Sequence, residues 1–180
     1  MSPKKIVIAG GPSTGKTSVV SGIEAAGFLC FHEISRAITL QAREEGIEQL
    51  FLTDPLLFSQ RILEGRLAQY QDAQKLNNAV VFFDRGLPDV VAYLDCFGTP
   101  YPEEFTTICA NNVYDEIFLL PPWEEIHTSD NERYENFEEA LRIHDCLEHA
   151  YSSFGYAVID VPKVSVKERV QFIIEKLKIS

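Results

Sequence analysis

The sequence predicts an α/β domain built on a parallel sheet. Three observations carry this. Five short runs are almost continuously apolar instead of alternating, as in strands covered on both faces. Longer stretches with helical spacing separate those runs, and strands alternating with helices pair in parallel. The first run also passes through a glycine-rich segment, Gly10 to Thr17, straight into the first helical stretch.

Taken in order, the strands are expected at Lys5–Gly10, Phe28–His32, Val80–Asp84, Glu116–Leu120 and Tyr156–Val161. Thr17–Ala26 should form the helix after the first strand. Helices over Ile34–Glu45 and Pro55–Lys75 fill the long interval before the third strand. Pro88–Cys96 and Glu103–Asn111 follow that strand, and Phe137–Phe154 follows the fourth. The last helix, Val166–Leu177, places Val166, Val170, Ile173, Ile174 and Leu177 on one face. Ser165 with Glu168 three residues on predicts a capping box at its start.

A length of 180 residues with 46% hydrophobic residues suits one domain, 1–180, with a sizeable core. The net charge of −11 argues against a nucleic-acid or anionic-membrane surface, which needs clustered Lys and Arg. A small anion in a local basic pocket remains compatible with it. The four cysteines are too dispersed for a C-x-x-C pair and read as reduced thiols of a cytoplasmic protein. His144 and His149, five apart, diverge on a helix, so no structural zinc is expected. The N-terminal apolar run leads into glycines and a lysine, so it reads as a strand and not as a signal peptide or membrane span.

The segment Gly10 to Thr17, GGPSTGKT, fits G-x-x-x-x-G-K-[ST] between a strand and a helix, the context that confirms a phosphate-binding loop. Backbone N–H groups of such a loop converge on phosphate oxygens, and the helix N-terminus adds its positive dipole end. The nucleotide-binding residues are therefore Gly10, Gly11, Pro12, Ser13, Thr14, Gly15, Lys16, Thr17 and Ser18. Lys16 is expected at the β- and γ-phosphates and the Thr17 hydroxyl at Mg²⁺. ATP is the expected nucleotide, with GTP open.

The third strand ends in Asp84-Arg85-Gly86. A carboxylate and a guanidinium at the end of a buried run need a task or a partner. Asp84 suits Mg²⁺, and the fork of Arg85 suits a transferring phosphoryl group or an acceptor. Strand C-terminal ends line the ligand crevice of an open parallel sheet. Glu33, just past the second strand, is thus a candidate to take the proton of an attacking hydroxyl, or a helix-start carboxylate. Arg36 is a candidate substrate contact. The polar stretch after the fourth strand reads as a lid loop over 123–136 that brings in Arg133. Acceptor-side candidates are Phe51, Phe58, Arg61, Asp89 and Tyr93. Arg61→Ala is expected to raise the acceptor KM, because an Arg amid Phe58, Ile62 and Leu63 needs an anion or solvent.

Three classes of nucleotide protein compete. A switch GTPase usually carries N-K-x-D, which this sequence lacks. A motor ATPase usually follows its strand-end Asp with Glu, whereas here Arg85 follows, and Arg cannot act as a base at neutral pH. A kinase with a small hydroxyl-bearing acceptor, such as a nucleoside, accounts for Asp84-Arg85 best. A switch or regulatory module with slow hydrolysis is the alternative. The oligomeric state is open.

Together GGPSTGKTS, FHEISR, VVFFDRGLPDVVAYL, LLPPWEEIHTSDNERYENFEEA and GYAVIDVPKVSVKERVQFI resemble the AAA-like P-loop domain shared by NadR and Ttd14. The resemblance covers nearly the whole chain. It implies a P-loop NTPase three-layer sandwich of nucleoside/nucleotide-kinase type, with a five-stranded parallel sheet in order 2-3-1-4-5. It also implies Gly10 to Thr17 as the nucleotide loop and Asp84 beside Mg²⁺, and is compatible with Glu33 and Arg36 on the substrate side and Arg133 on a lid. NadR members phosphorylate ribosylnicotinamide, and Ttd14 members bind nucleotide and phosphoinositide. The resemblance does not extend to the adenylyltransferase and DNA-binding domains of NadR, and the Asp-Arg-Gly element is closer to stand-alone bacterial members labelled as ATPases.

Overall fold

In β1 (Lys4–Gly10) every residue after Lys4 is buried, and β3 (Val80–Asp84) is buried throughout. Such strands need cover on both faces, and the sheet has it. The structure, a computed structural model, describes residues 2–126 and 137–178. With β2 (Leu29–Phe31), β4 (Glu116–Leu120) and β5 (Val158–Asp160), these strands form one parallel sheet in the order β2-β3-β1-β4-β5. This is the order the resemblance implied.

Alternate side chains of each strand enter different cores, because successive residues point to opposite faces. Val7, Ala9, Val81, Phe83, Ile117 and Leu119 pack on one face against α4 (Pro55–Gln74), α5 (Pro88–Cys96), α6 (Glu104–Asn111) and α7 (Phe137–Ser153). Ile6, Ile8, Phe82, Phe118 and Leu120 pack on the other against α1 (Lys16–Ala25) and α8 (Val166–Leu177). The result is helix, sheet, helix: a three-layer sandwich.

The ends of elements follow their local chemistry. Asp54 caps α4 by accepting from the Leu57 N–H, with Pro55 at the first helical position. At α8 the capping box forms as expected, Ser165 accepting from the Glu168 N–H and Glu168 from the Ser165 N–H. The interval between β2 and β3 holds α2 (Ser35–Glu44) and an additional short helix, α3 (Leu50–Thr53), which the sequence reading passed over. Four residues are too few to show helical periodicity.

The register brings the chemistry to one edge. Ile8 pairs with Asp84, and the Arg85 N–H donates to the Ile8 carbonyl at 3.1 Å. Gly10 pairs with Leu120. The glycine-rich loop, the Asp84-Arg85 pair and the residues after β2 and β4 therefore share the C-terminal edge of the sheet, where open α/β sheets bind ligands. Among the described residues no helix is long and apolar enough to cross a membrane.

Candidate active site

The loop from Gly10 to Gly15 joins β1 to α1. Gly15 has φ +79°, a left-handed conformation that lets the loop curl into the helix start. The Thr14 hydroxyl donates to the Gly11 carbonyl at 3.0 Å and closes the curl. Gly10 is excluded from change by space: a Cβ there would lie 2.9 Å from Thr14 Oγ1 and 3.1 Å from Leu120 Cβ. Gly11 through Ser18 line a cavity of about 490 Å³ with Arg85, Ile126, Val166 and Arg169. Gly10, expected among the nucleotide-binding residues, does not line it, because it is still part of β1, paired with Leu120.

Lys16 and Asp84 are both buried and form an ion pair between Nζ and Oδ1. Burial, then the Arg85 charge, lower the Lys16 pKa, and Asp84 opposes them. Thr17 and Ser18 are exposed in the first turn of α1, facing the cavity.

A second cavity, about 730 Å³, opens on the β2 and β3 side. Its walls are largely apolar, with Phe51, Phe58, Ile62, Leu94 and Phe97 among them, and its charged groups include Glu33, Arg66, Arg85 and Asp89. Among the described residues, Arg85 alone lines both cavities.

Arg85 holds φ +75°, a strained conformation for a non-glycine residue, worth about 1–2 kcal/mol. The side chains around it fix that turn. Its Nε lies 2.5 Å from Glu33 Oε2, and its Nη1 donates to the Tyr93 hydroxyl at 3.1 Å and stands 3.8 Å from Asp89 Oδ1. Burial works against its charge, yet Tyr93, Glu33 and Asp89 together raise its pKa. Asp89 fixes the turn itself: its Oδ2 accepts from the Gly86 N–H at 2.9 Å and from the Tyr151 hydroxyl at 2.5 Å. A Cβ at Gly86 would lie 2.7 Å from that hydroxyl.

Glu33 makes the helix-start contacts expected of it and also lines the second cavity. Its Oε1 accepts from the Ile34 and Ser35 N–H groups at 2.9 and 3.0 Å, at the start of α2. Its other oxygen faces Arg85, within the cavity lining. Burial would raise its pKa, but Arg66 and Arg85 override that and hold it at about 2. The carboxylate is thus ionised at neutral pH.

Arg66, on α4, was missed by sequence reasoning. It is buried, donates from Nη1 to the Gly86 carbonyl at 2.9 Å and pairs through Nη2 with Glu33 at 3.3 Å. The available signal was a charge at i+4 from Ile62 and i−4 from Tyr70, on the buried face of α4. Local composition points to Arg61 for the pocket instead. The structure turns it away: Arg61 lines neither cavity and pairs with Glu45 at 2.7 Å, so its anion comes from within the chain. Arg36 is exposed and lines neither cavity, because the first turn of α2 presents Ser35 there instead. Asp89, Tyr93, Phe51 and Phe58 do line the second cavity. Arg133, with positions 127–136 of the expected lid, lies outside the described residues. The four cysteines are free thiols.

Residues 5–169 match the model of a family described as an AAA domain. The chain belongs to that family. This bears out the resemblance to the AAA-like P-loop domain read from the motifs. No curated protein matches the chain. Among solved structures, a deoxyadenosine kinase from M. mycoides with products dCMP and dCDP bound is similar, with TM-score 0.69 at 19% identity over 97% of this chain and 98% of that one. The NadR protein in complex with NR gives TM-score 0.71 at 19% identity over 99% of this chain. This AAA-domain chain spans 51% of the NadR chain. Thymidylate kinase from Candida albicans gives 0.64 at 18% identity, over 98% of this chain and 92% of that one. At such identities the likeness establishes the fold, that of the P-loop nucleoside and nucleotide kinases.

Proposed function

We propose that the protein transfers the terminal phosphoryl group of Mg-ATP to a hydroxyl of a small acceptor of the nucleoside class. One observation carries this reading. Arg85 lines both cavities, with its guanidinium 2.5 Å from an ionised carboxylate, Glu33, in the lining of the second. A phosphoryl group and its acceptor meet at such a junction. A hydrolase needs only the first cavity.

The residues fit a magnesium–nucleoside triphosphate. The loop bends where only glycine is unstrained, at Gly15, and Gly10 at the end of β1 has no room for a Cβ. The buried Lys16 and Asp84 neutralise one another, so each has a counter-charge that a phosphate and a divalent cation would replace. Thr17 and Asp84 are the residues that would hold Mg²⁺, which supplies charge neutralisation on the phosphate oxygens. Lys16 binds the terminal phosphates through its ammonium.

Glu33 accepts the acceptor's hydroxyl proton or orients that hydroxyl toward the phosphoryl group. Its low pKa makes it a weak base, which suits a loose transition state in which positioning outweighs proton removal. Arg85 neutralises the charge in transit. The apolar walls of the second cavity receive the flat part of the acceptor, as ligand pockets with few convergent polar groups do. The fold likeness to nucleoside kinases and NadR supports this acceptor class.

The test is ADP release from Mg-ATP with and without a panel of nucleosides that includes nicotinamide riboside. Stimulation by a panel member, abolished in Lys16→Ala and Asp84→Ala, is the expected result. Tight nucleotide binding with slow turnover that no acceptor changes would replace this reading by a nucleotide switch.

A further inference from the structure

Among the described residues, four cationic side chains line the two cavities: Lys16, Arg66, Arg85 and Arg169. Three of them have carboxylate partners. Lys16 pairs with Asp84, Arg66 with Glu33, and Arg85 with Glu33 and Asp89. Arg169 has none. It is buried, its Nε has no hydrogen-bond partner, and the one hydrogen bond of its guanidinium among the described residues runs from Nη1 to the Thr14 carbonyl at 2.9 Å. Its guanidinium lies over the Trp123 ring, 5.8 Å from the centroid.

The lack of a carboxylate calls for a cause. The chain has 27 acidic and 16 Lys and Arg residues, so counter-ions are abundant. A buried charge without one is costly, and a neutral donor would serve the Thr14 carbonyl as well. The guanidinium also lies against the phosphate loop itself: a Cβ on Gly15 would fall 2.9 Å from Nη1 and 3.1 Å from Nη2.

Sheet order fixes which end of the nucleotide meets it. The loop leaves the central strand β1, and Arg85 and the second cavity lie on the β3 and β2 side. Ile126, Val166 and Arg169 reach the first cavity from after β4 and from α8, on the opposite side. The transferred phosphoryl group must face the second cavity, so the nucleoside end of the donor faces Arg169.

We propose that Arg169 is a nucleotide-binding residue, whose guanidinium pairs with the phosphate at the nucleoside end of the donor's polyphosphate. The proposal rests on the nucleotide-site reading above. It makes the bound nucleotide the missing counter-ion of α8.

Trp123 is the only tryptophan, so intrinsic fluorescence reports occupancy beside Arg169. Wild type, Arg169→Gln and Arg169→Lys are titrated with Mg-ATP and, separately, with inorganic tripolyphosphate. Ligand-free melting curves establish that each variant folds. Glutamine can still donate to the Thr14 carbonyl but carries no charge. It should weaken both ligands about tenfold or more, the effect of losing a charge-assisted hydrogen bond. Lysine keeps the charge and should stay within about threefold of wild type.

Wild-type affinity in Arg169→Gln would make Arg169 a brace for the loop and overturn the proposal. So would weakening of ATP alone, which would place the contact on base or ribose, or an Arg169→Lys variant as weak as Arg169→Gln. Should Arg169→Gln fail to fold, Arg169→Met replaces it as the neutral variant. A wild type that binds neither ligand overturns the nucleotide reading and this contact with it. Tight binding without any acceptor-dependent turnover overturns the kinase reading and leaves the contact standing.

Discussion

The two cavities are built in different ways. The first cavity takes eight of its lining residues from one stretch, Gly11 to Ser18. Its key groups are backbone amides and a helix start, which any chain with the right bend presents. The second cavity takes its lining from the end of β2, from α2, α3, α4 and α5, and from α7. Its key groups are side chains held by one another, with Glu33, Arg66, Arg85 and Asp89 in one polar cluster. A site made of backbone tolerates change around it. A site made of mutually paired charges loses several members when one is removed.

Substitutions separate the two regions. Lys16→Ala should have the largest effect, lowering phosphoryl transfer by about a thousandfold, since it removes the charge facing both the phosphates and Asp84. Coupled ADP detection measures this, and turnover within tenfold of wild type would remove Lys16 from the transfer step. Glu33→Gln should lower acceptor-dependent kcat by about a hundredfold and leave Mg-ATP affinity within a few-fold. Equal losses in both would show that the cavities are one energetic unit.

Arg66→Met should lower kcat by about tenfold, acting through Glu33. It also carries a pH signature. Burial raises the Glu33 pKa, and Arg66 is the first of the charges holding it down at about 2. With Arg66 gone the carboxyl protonates at higher pH, so the acid limb of kcat/KM moves upward, and Arg66→Lys should return it. An unmoved limb would reduce Arg66 to a support for the Gly86 turn. Phe58→Ala should raise acceptor KM about fivefold through lost apolar contact, with kcat unchanged. Arg61→Ala should be the mildest, with acceptor KM within about twofold of wild type, because its partner is the half-exposed Glu45. A larger rise would return Arg61 to the acceptor pocket and the earlier expectation with it.

The contrast between Arg61 and Arg66 shows where sequence reading stops. The residues are five apart on α4, which is about 140° around a helix. One points to Glu45 and the other into the cluster. Local composition favoured Arg61, with Phe58, Ile62 and Leu63 around it. Only the docking of α4 on the sheet decides which side of the helix meets the Gly86 turn. Arg169 was hidden for a similar reason. It lies on the apolar stripe of α8, three residues from Val166, and a charge on such a stripe has meaning only once the stripe's neighbour is known.

By itself the sequence determined the strands and most helices, the capping of α8, and the phosphate loop. Each of these is set within one short stretch of chain, by apolar runs, cap residues or glycine's freedom at positive φ. Tertiary structure decided the rest. Glu33 and Arg85 are 52 residues apart in the chain by their numbers, and their carboxylate and guanidinium meet because β2 and β3 pair in register. Ionisation of Glu33, the strained turn at Arg85 and the lack of a carboxylate partner for Arg169 among the described residues all depend on what lies across space, because Coulomb and hydrogen-bond energies act over a few ångströms regardless of separation along the chain.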